Sequence, residues 1–399
     1  MTHPALAGAP IYLDYNATTP VDPEALEAAL PYLTTHFGNP SSGHRYASAP
    51  RQALDRARGQ VAGLLGAAPE EIVFTGGGSE ADTLAIRGAA LGSGRRRIIS
   101  LATEHPAVLR SCDSLRAEGF GVTLLPVDRH GRLDPDELRA AVREEDTALV
   151  SIAYGNSETG TLQPIADLAA IAHAGGALFH TDAAQAVGKV AIDVAALGVD
   201  LLTVVGHKMY APKGVGALYV RSGTPLHPVV HGGGQEGGLR AGTENVAFIA
   251  ALGQAAEIAR SQLPGSAVRL AALRDLLQAE LEAGLPGRVR LNGHPAERLP
   301  GTLNVSIDGI SGRALLAAVP EIAAATGSAC HEGVDAPSPV LLAMGLPPER
   351  AVAALRLSLG RWSTEQEVRQ AALLIARAAV RSTAKIDGGA VEAGGRLHG

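Results

Sequence analysis

The feature that most constrains the fold is an alternation, between about residues 70 and 260, of short β-branched and apolar runs with longer Ala- and Leu-rich helical stretches. A mostly parallel sheet requires this order, because parallel neighbours are joined by a long crossover that is usually a helix. The predicted strands of this region are residues 71–74, 97–100, 148–152, 177–180, 201–205 and 217–220. The sequence therefore predicts an α/β protein.

The pattern changes near residues 262–265, which read QLPG. A charged amphipathic helix is predicted to follow, and after it come predicted strands at residues 288–291 and 302–305. A last helix is predicted after Thr364, because Thr364 and Glu367 have the spacing of a capping box. This second region has the order of a smaller α+β unit.

These patterns predict two domains and a tail. The large domain is expected over residues 15–262, and the small domain over residues 1–14 and 263–386. Residues 387–399 are rich in glycine and have no apolar periodicity, so they are predicted to be flexible.

Composition argues against several classes of protein. The formal net charge of −6 is spread along the chain, so we expect no nucleic-acid partner and favour a small-molecule substrate. Residues 1–10 lack the basic start of a signal peptide, and no segment reaches the roughly 18 apolar residues of a spanning helix, so we expect no membrane association. Two cysteines, Cys112 and Cys330, cannot form a disulfide framework, which favours the cytoplasm.

A glycine-rich turn follows the first predicted strand of the sheet. Residues 76–79 read GGGS and precede a helical stretch that begins at Glu80. Such a turn lets backbone N–H groups approach a phosphate at a helix N-terminus, although many turns of this kind bind nothing. It is not a Walker loop, because no lysine stands at the required position.

Asp182 and Lys208 follow two further predicted strands. Polar residues at the carboxyl ends of parallel strands line the ligand crevice of an open sheet. A lysine for a Schiff base, an acid for a pyridinium nitrogen and a phosphate-binding turn are the parts of a pyridoxal-phosphate site. From these residues alone, a structural Asp–Lys pair at the sheet rim remains an alternative.

Eight longer stretches make the assignment more specific. They occur in order between about residues 11 and 375, and they are residues 12–20 (YLDYNATTP), 103–105 (TEH), 156–160 (NSETG), 180–185 (HTDAAQ), 206–214 (GHKMYAPKG), 240–245 (RAGTEN), 327–330 (GSAC) and 355–361 (LRLSLGR). In these stretches the chain resembles the cysteine desulfurases, a class V aminotransferase-like branch that includes selenocysteine lyases. The resemblance implies the fold type I architecture of pyridoxal-phosphate-dependent transferases, with a mostly parallel seven-stranded sheet in the large domain and a smaller α+β domain.

The resemblance also implies roles for individual residues. Lys208 forms the Schiff base with the cofactor and shuttles the substrate Cα proton, while Asp182 keeps the pyridinium nitrogen protonated. His105 stacks on the ring and participates in proton transfer, and Arg356 clamps the substrate α-carboxylate with its bidentate fork. The other implied contacts are Asn156 and Gln185 to the 3-oxygen side of the ring, Asn156 also to substrate, Gly78, Ser79 and His207 to the phosphate, and Thr243 to the phosphate of the neighbouring subunit.

Cys330 is the residue by which the resemblance becomes specific to sulfur chemistry. It lies in a polar, glycine-containing stretch, residues 327–337, which predicts an exposed mobile loop. We predict that the Cys330 thiolate attacks the substrate sulfur and becomes a persulfide. Cys112 falls on a predicted helix and is expected to be structural.

Three positions depart from the family pattern. Ser157 stands where a second Asn is usual, and Gly237 stands where an Arg is frequent. Val205 stands where many members have a phosphate-binding Ser, and loss of that hydroxyl is expected to weaken cofactor binding modestly. Residues 330–342, and an apolar residue at position 205, also resemble the selenocysteine lyases.

The predicted activity is therefore conversion of L-cysteine to L-alanine, with sulfur passed to a sulfur-acceptor protein, one possibility being an iron–sulfur scaffold. The resemblance implies a homodimer, and no metal site is predicted. Alternatives are a selenocysteine lyase, an aminotransferase and a catalytically idle scaffold of the same fold. The combination of Lys208, Asp182, His105, Cys330 and Arg356 argues against the idle scaffold, which needs none of them.

Overall fold

The computed structural model describes residues 3–142, 146–327 and 336–393, with side chains described through Ser382. Its helices are α1 (Pro23–Thr34), α2 (Ser48–Leu65), α3 (Gly78–Ser93), α4 (Pro106–Ala117), α5 (Pro135–Val142), α6 (Ile165–Ala174), α7 (Val194–Leu197), α8 (Val246–Gly284), α9 (Gly312–Ala317), α10 (Pro339–Ala343), α11 (Pro348–Val352) and α12 (Glu365–Ala393). Its strands are β1 (Ile11–Tyr12), β2 (Ile72–Thr75), β3 (Arg97–Leu101), β4 (Gly121–Leu125), β5 (Thr147–Ser151), β6 (Leu178–Asp182), β7 (Leu201–Val205), β8 (Gly216–Val220), β9 (Val289–Leu291), β10 (Thr302–Ile307), β11 (Ile322–Ala323) and β12 (Ala354–Ser358).

A seven-stranded sheet, in the order β2-β8-β7-β6-β5-β3-β4, forms the centre of the larger part of the described chain. Strands β4, β3, β5, β6 and β7 are parallel, and β8 runs antiparallel to both of its neighbours. The inner strands β5 and β7 are buried along their whole length, which explains their continuous apolar sequences. The predicted α/β class with a mostly parallel sheet is confirmed.

The edge strand β4 is absent from the strands predicted by the sequence. It reads GVTLL, and most of its residues are partly or fully exposed. An edge strand lacks the two buried faces that give the inner strands their apolar signal. Pairing with β3 therefore defines β4 more than its own composition does.

A second, antiparallel sheet in the order β12-β10-β9 lies in the later part of the chain. Its buried face joins a separate apolar cluster that includes Leu277, Val305, Leu357 and Ile375. The capping box predicted at the start of the last helix is present, since Thr364 Oγ1 accepts from the Glu367 N–H at 3.2 Å and Glu367 Oε2 accepts from the Thr364 N–H at 2.8 Å.

Helix α8 connects the two sheets. It is continuous from Val246 to Gly284 and contains Pro264, whereas the sequence pattern placed a change of structure at residues 262–265. Its first half packs on α1 and α2 and its second half on α12, so packing on both sides of Pro264 maintains the helix despite the lost hydrogen bond. Helix α12, which the sequence predicts after Thr364, is described as far as Ala393. Residues 394–399 of the predicted flexible tail lie outside the described residues.

The N-terminal segment lies between the two sheets. Strand β1 pairs in parallel with β11, and Asp14 forms a bridge with Ser358 at the end of β12. The following residue pair, Tyr15 and Asn16, is buried. This segment therefore brings polar residues from the chain start against the carboxyl edge of the large sheet. Among the described helices, none has the length and apolarity needed to cross a bilayer.

Candidate active site

The carboxyl ends of neighbouring strands bring the candidate residues together. Asp182 is the last residue of β6, and its backbone is in register with Thr203 of the adjacent β7. A single 3₁₀ turn, Gly206–Lys208, follows β7 directly. Strand β2 runs parallel to β7, since both are antiparallel to β8, and the glycine-rich turn follows it at the same edge. This is the edge where open α/β sheets bind ligands.

The Lys208 amine is held by backbone carbonyls of the N-terminal segment. Its Nζ donates to Asn16 O at 2.5 Å and to Ala17 O at 2.8 Å. Burial, together with the nearby Arg356 cation, lowers the pKa of Lys208 to about 8, against the opposing effect of Asp182 and Asp14. A larger fraction of this amine is therefore neutral and nucleophilic near neutral pH than for a lysine with its ordinary pKa.

Asp182 is buried at the end of its strand, and its Oδ1 accepts from the Ala184 N–H at 2.8 Å. Burial raises the pKa of Asp182, and this hydrogen bond, His105 and Lys208 oppose the rise. The neighbouring protein groups therefore do not fully offset the cost of burying a negative charge at Asp182. A protonated ring nitrogen placed against it would supply a further positive charge.

Two further titratable side chains of this region, Glu104 and His180, are buried. Glu104 Oε1 accepts from the Ala153 N–H at 2.8 Å, while its Oε2 has no hydrogen-bond partner among the described residues. Burial raises the pKa of Glu104 to about 8. His180 lies between Ser151 Oγ at 2.8 Å and Thr203 Oγ1 at 3.1 Å, and burial lowers its pKa to about 3. Both side chains are therefore predominantly uncharged at neutral pH.

His105 is the residue that precedes α4 and caps its N-terminus. Its Nδ1 accepts from the Ala107 N–H at 3.2 Å, so the neutral ring carries its proton on Nε2. Desolvation lowers the pKa of His105, with Lys208 contributing in the same direction and Asp182 opposing. A neutral, oriented imidazole at this edge is suited to stacking on a planar ring.

The glycine-rich turn opens the 16-residue helix α3. Gly77 has a φ of +140°, which favours glycine, and Gly78 begins the helix. A Cβ on Gly78 would lie 2.6 Å from a Val205 methyl carbon, so only glycine fits beside this valine. With Ser79 in the first turn, the helix start has the geometry of an anion-binding site.

The other phosphate candidates are His207 and Thr243. His207 Nδ1 lies 3.1 Å from Thr18 Oγ1, and burial lowers the pKa of His207 to about 4, so its ring is neutral. Thr243 lines a cavity of about 170 Å³ together with Thr75 and Gly76 of its own chain.

Asn156 and Gln185 are both bound within the protein. Asn156 Nδ2 donates to Thr103 O at 3.1 Å, and its Oδ1 accepts from the Glu158 N–H at 2.9 Å. Gln185 Nε2 donates to Asn16 O at 2.9 Å. Since an amide nitrogen carries two protons, each side chain retains one donor for a ligand.

Arg356 lies in β12, opposite Asn304 of β10. Its Nη2 donates to Asp14 Oδ1 at 2.7 Å, and its Nη1 lies 3.4 Å from Ser157 O. The side chain is buried, and its Nε has no hydrogen-bond partner among the described residues. This arginine therefore retains a buried donor suited to a carboxylate.

The two cysteines differ in what the structure describes. Cys330 lies outside the described residues, which stop at Gly327 and resume at Ala336. Cys112 is a buried free thiol on α4, and burial raises its pKa to about 12. Cys112 is therefore protonated and enclosed, which makes it a poor nucleophile.

The departures from the family pattern have different local surroundings. Ser157 contacts Asn16 Nδ2 and Arg356 Nη1 through its backbone oxygen, and these contacts do not depend on its side chain. Gly237 has a φ of +64° and open space around its Cα. Val205 is buried against the start of α3, where a methyl group replaces the expected hydroxyl.

Three residues of the site received no role from the sequence. Asp14 pairs with Arg356, and Glu158 lies beside Asn156 within the same matched stretches. Lys189 Nζ donates to Gln185 Oε1 at 2.7 Å and to Asn16 Oδ1 at 3.2 Å, and burial lowers its pKa to about 7. Their positions in or next to the matched stretches were the available signal, but spacing alone does not reveal these contacts.

Comparisons with known proteins agree with this geometry. The model of the family Aminotransferase class-V matches residues 11–371. The chain is 47% identical to "Cysteine desulfurase IscS" of Anaeromyxobacter dehalogenans (strain 2CP-C) over 364 residues, which are 90% of each chain. A solved "NIFS-LIKE PROTEIN" is 36% identical with a TM-score of 0.86, covering 92% of this chain and 98% of that one. "SspA in complex with cysteine" is 36% identical with a TM-score of 0.78, covering 88% and 99%.

Proposed function

This chain belongs to the class V aminotransferase family and, within it, to the cysteine desulfurases, and we propose that it converts L-cysteine to L-alanine with transfer of sulfur to Cys330. The observation that carries the proposal is that Asp182 and Lys208, at the carboxyl edge of the large sheet, lie near Arg356 of the second sheet, whose cation acts on the Lys208 amine. Similarity to a protein solved in complex with cysteine supports the choice of substrate.

Pyridoxal phosphate fits the residues present at this edge. Lys208 offers an amine with a lowered pKa, Asp182 offers a buried carboxylate short of positive charge, and Gly78 and Ser79 open a helix toward the phosphate. His207, together with Thr243 of a second copy, would complete the phosphate contacts, with His105 on the ring face and Asn156 and Gln185 toward the 3-oxygen. When bound, this cofactor supplies an electron sink for the bond-breaking at the substrate Cα.

The protein residues position the substrate and move its protons. Arg356 binds the α-carboxylate through the Nε edge that Asp14 leaves open. Lys208, held at the Asn16 and Ala17 carbonyls in the protein alone, takes the Cα proton once the substrate amine occupies its place. His105, whose neutral ring carries its proton on Nε2, would participate in proton transfer.

Cys330 receives the sulfur in this proposal. Its thiolate attacks the substrate sulfur, the Cβ–S bond breaks, and the resulting Cys330 persulfide leaves a three-carbon product that becomes alanine on protonation. Cys112 cannot substitute, since its thiol is enclosed and its pKa is raised to about 12. The sulfur then passes to an acceptor protein, an iron–sulfur scaffold being the acceptor we favour.

A homodimer is part of the proposal. An apolar stripe on α1 and the residues that follow it is exposed, and it consists of Leu26, Leu30, Leu33 and Phe37, the last 76% exposed. The stripe needs a partner, because monomers rarely expose contiguous apolar surface of this kind. Thr243 of a second copy would complete the phosphate site.

We propose the cytoplasm as the compartment. The described cysteine, Cys112, is a free thiol, and a persulfide on Cys330 would be lost in an oxidising compartment.

The test is to incubate the purified protein separately with L-cysteine and L-selenocysteine, and to measure alanine with sulfide or selenide. We expect alanine from L-cysteine, a sulfur adduct on Cys330 by mass spectrometry, and a pyridoxyl group on Lys208 after borohydride reduction. Cys330→Ala should retain the yellow colour and lose cysteine turnover, and Lys208→Ala should lose both. Alanine formed only from L-selenocysteine, or an adduct on Cys112, would contradict the proposal.

A further inference from the structure

Glu158 contacts the described chain on both sides of residues 328–335. Its Oε2 accepts a hydrogen bond from Ser338 Oγ at 2.6 Å, three residues after that segment. On the other side, a Cβ built on Gly327 would lie 2.8 Å from the same oxygen, so the backbone of Gly327 packs directly on the carboxylate. One buried oxygen atom therefore contacts described residues on both sides of the segment that contains Cys330.

The backbone of the same glutamate is hydrogen-bonded to two asparagines, one of which is a candidate site residue. Its backbone N–H donates to Asn156 Oδ1 at 2.9 Å, and its carbonyl accepts from Asn304 Nδ2 at 3.1 Å. Glu158 is 3% exposed, and burial raises its pKa, while the Ser338 hydrogen bond and the Arg356 cation oppose the rise. The glutamate is thus held by residues that lie elsewhere in the chain, away from both sides of the segment.

The two ends are ordered by contacts that converge on this point. Ser338 caps α10, because its Oγ also accepts from the Leu341 N–H at 3.3 Å. On the other side, Ala325 forms an antiparallel bridge with Arg356, with the Arg356 N–H donating to Ala325 O at 2.7 Å. Ala325, before the segment, is therefore held by Arg356, and Ser338, after it, is held by Glu158.

We propose that Glu158 is a positioning residue for sulfur transfer, whose carboxylate contacts Gly327 and Ser338 and so fixes the described chain on both sides of the segment that contains Cys330. The inference rests on the proposed function, and it assigns to Glu158 no contact with substrate or cofactor. Gly327 is required at this position, because its φ of +142° favours glycine and any side chain would meet the glutamate. Ser338 is required as the donor to that carboxylate.

The test compares Glu158→Ala, Glu158→Gln and Ser338→Ala with wild type, all loaded with cofactor. Glu349→Ala, which removes an exposed carboxylate from α11, is the matched control. For Glu158→Ala we expect kcat for alanine formation to fall roughly 10- to 100-fold, the range for losing a hydrogen bond to a buried charged group. The cysteine Kd, from the substrate-induced spectral change, should stay within about threefold because Arg356 and Lys208 remain.

Glu158→Gln keeps an acceptor for Ser338 and should recover most of the lost kcat, and Ser338→Ala should resemble Glu158→Ala. Hydrogen exchange gives a readout that needs no turnover. The Leu341 and Leu342 amides, which bond to Ser338, should exchange about tenfold faster in Glu158→Ala, while helix α3 is unchanged. A wild type that exchanges as expected but forms no alanine would defeat the proposed function and leave the anchoring intact.

Unchanged kcat and exchange in Glu158→Ala would overturn the proposal. So would equal losses of kcat, cysteine binding and cofactor, since these would show a general structural role. Failure of Glu158→Gln to recover kcat, with α10 protected as in wild type, would overturn it as well, because hydrogen-bond acceptance would then not be the relevant property.

Discussion

Arg356 and Asp14, 342 positions apart in the sequence, form an ion pair of 2.7 Å through Nη2 and Oδ1. Both residues are part of the seam between the two sheets, where β12 meets the N-terminal segment. The pair holds one edge of the guanidinium fork and leaves the buried Nε without a partner among the described residues. The pair therefore orients the arginine in advance, and Nε retains a proton that it could donate to a carboxylate.

This arrangement makes Arg356→Lys a test of fork geometry with the charge preserved. We expect KM for cysteine to rise roughly 10- to 100-fold, because a lysine ammonium cannot bind Asp14 and a substrate carboxylate in the same plane. Cofactor content should be unchanged, since Arg356 does not contact the glycine-rich turn. Steady-state alanine formation measures the effect, and Asp14→Asn should raise KM less because it keeps an acceptor. An unaltered KM in Arg356→Lys would remove this arginine from substrate binding.

Replacing Val205 with serine is expected to strengthen cofactor binding. Val205→Ser should tighten pyridoxal phosphate by about two- to tenfold, as one net hydrogen bond of roughly 0.5–1.5 kcal/mol provides. The valine methyl packs where the start of α3 meets β7, so a hydroxyl at this position is close to the predicted phosphate. Cofactor Kd from equilibrium dialysis is the measurement. Val205→Ala makes the same space without the hydroxyl, and tightening in that variant too would refute the explanation.

The sequence predicted the inner strands and the strand-end residues because their signals are local. β5 and β7 are continuous apolar runs, and Asp182 and Lys208 come directly after such runs. Edge strand β4 was missed because half-exposed strands lack that signal. Helix α8 continues through Pro264 because two sets of neighbours pack on it, which no local pattern records. The Arg356–Asp14 pair depends on contacts between distant parts of the chain, so spacing could not reveal it.

Glu104 predicts a pH-dependent stability. Burial raises its pKa to about 8 from 4.5, so the folded protein binds this proton more tightly than the unfolded chain. The stability that the protonated acid contributes is present below about pH 4.5 and is lost as pH rises through about 8. Glu104→Gln has no such titration. Its free energy of unfolding, relative to wild type, should therefore increase between about pH 5 and pH 9 in urea titrations. Glu349→Gln, at an exposed position, should show no such trend, and a decrease for Glu104→Gln would contradict the raised pKa.

The lowered pKa of Lys208 predicts how the cofactor-free protein takes up pyridoxal phosphate. Only the neutral amine attacks an aldehyde, so the uptake rate should rise about tenfold per pH unit below 8 and level off above about 9. A lysine with its ordinary pKa of 10.5 would keep gaining rate up to about pH 10.5. Stopped-flow absorbance between about pH 6.5 and pH 10 distinguishes the two curves.

Burial is the main cause of the lowered pKa and the Arg356 cation is the second, so Arg356→Met should move the midpoint to higher pH. Arg350→Met, which removes a cation that does not act on Lys208, should leave the midpoint unchanged. A wild-type profile that rises without a plateau would show that Lys208 is not the low-pKa amine that this site requires.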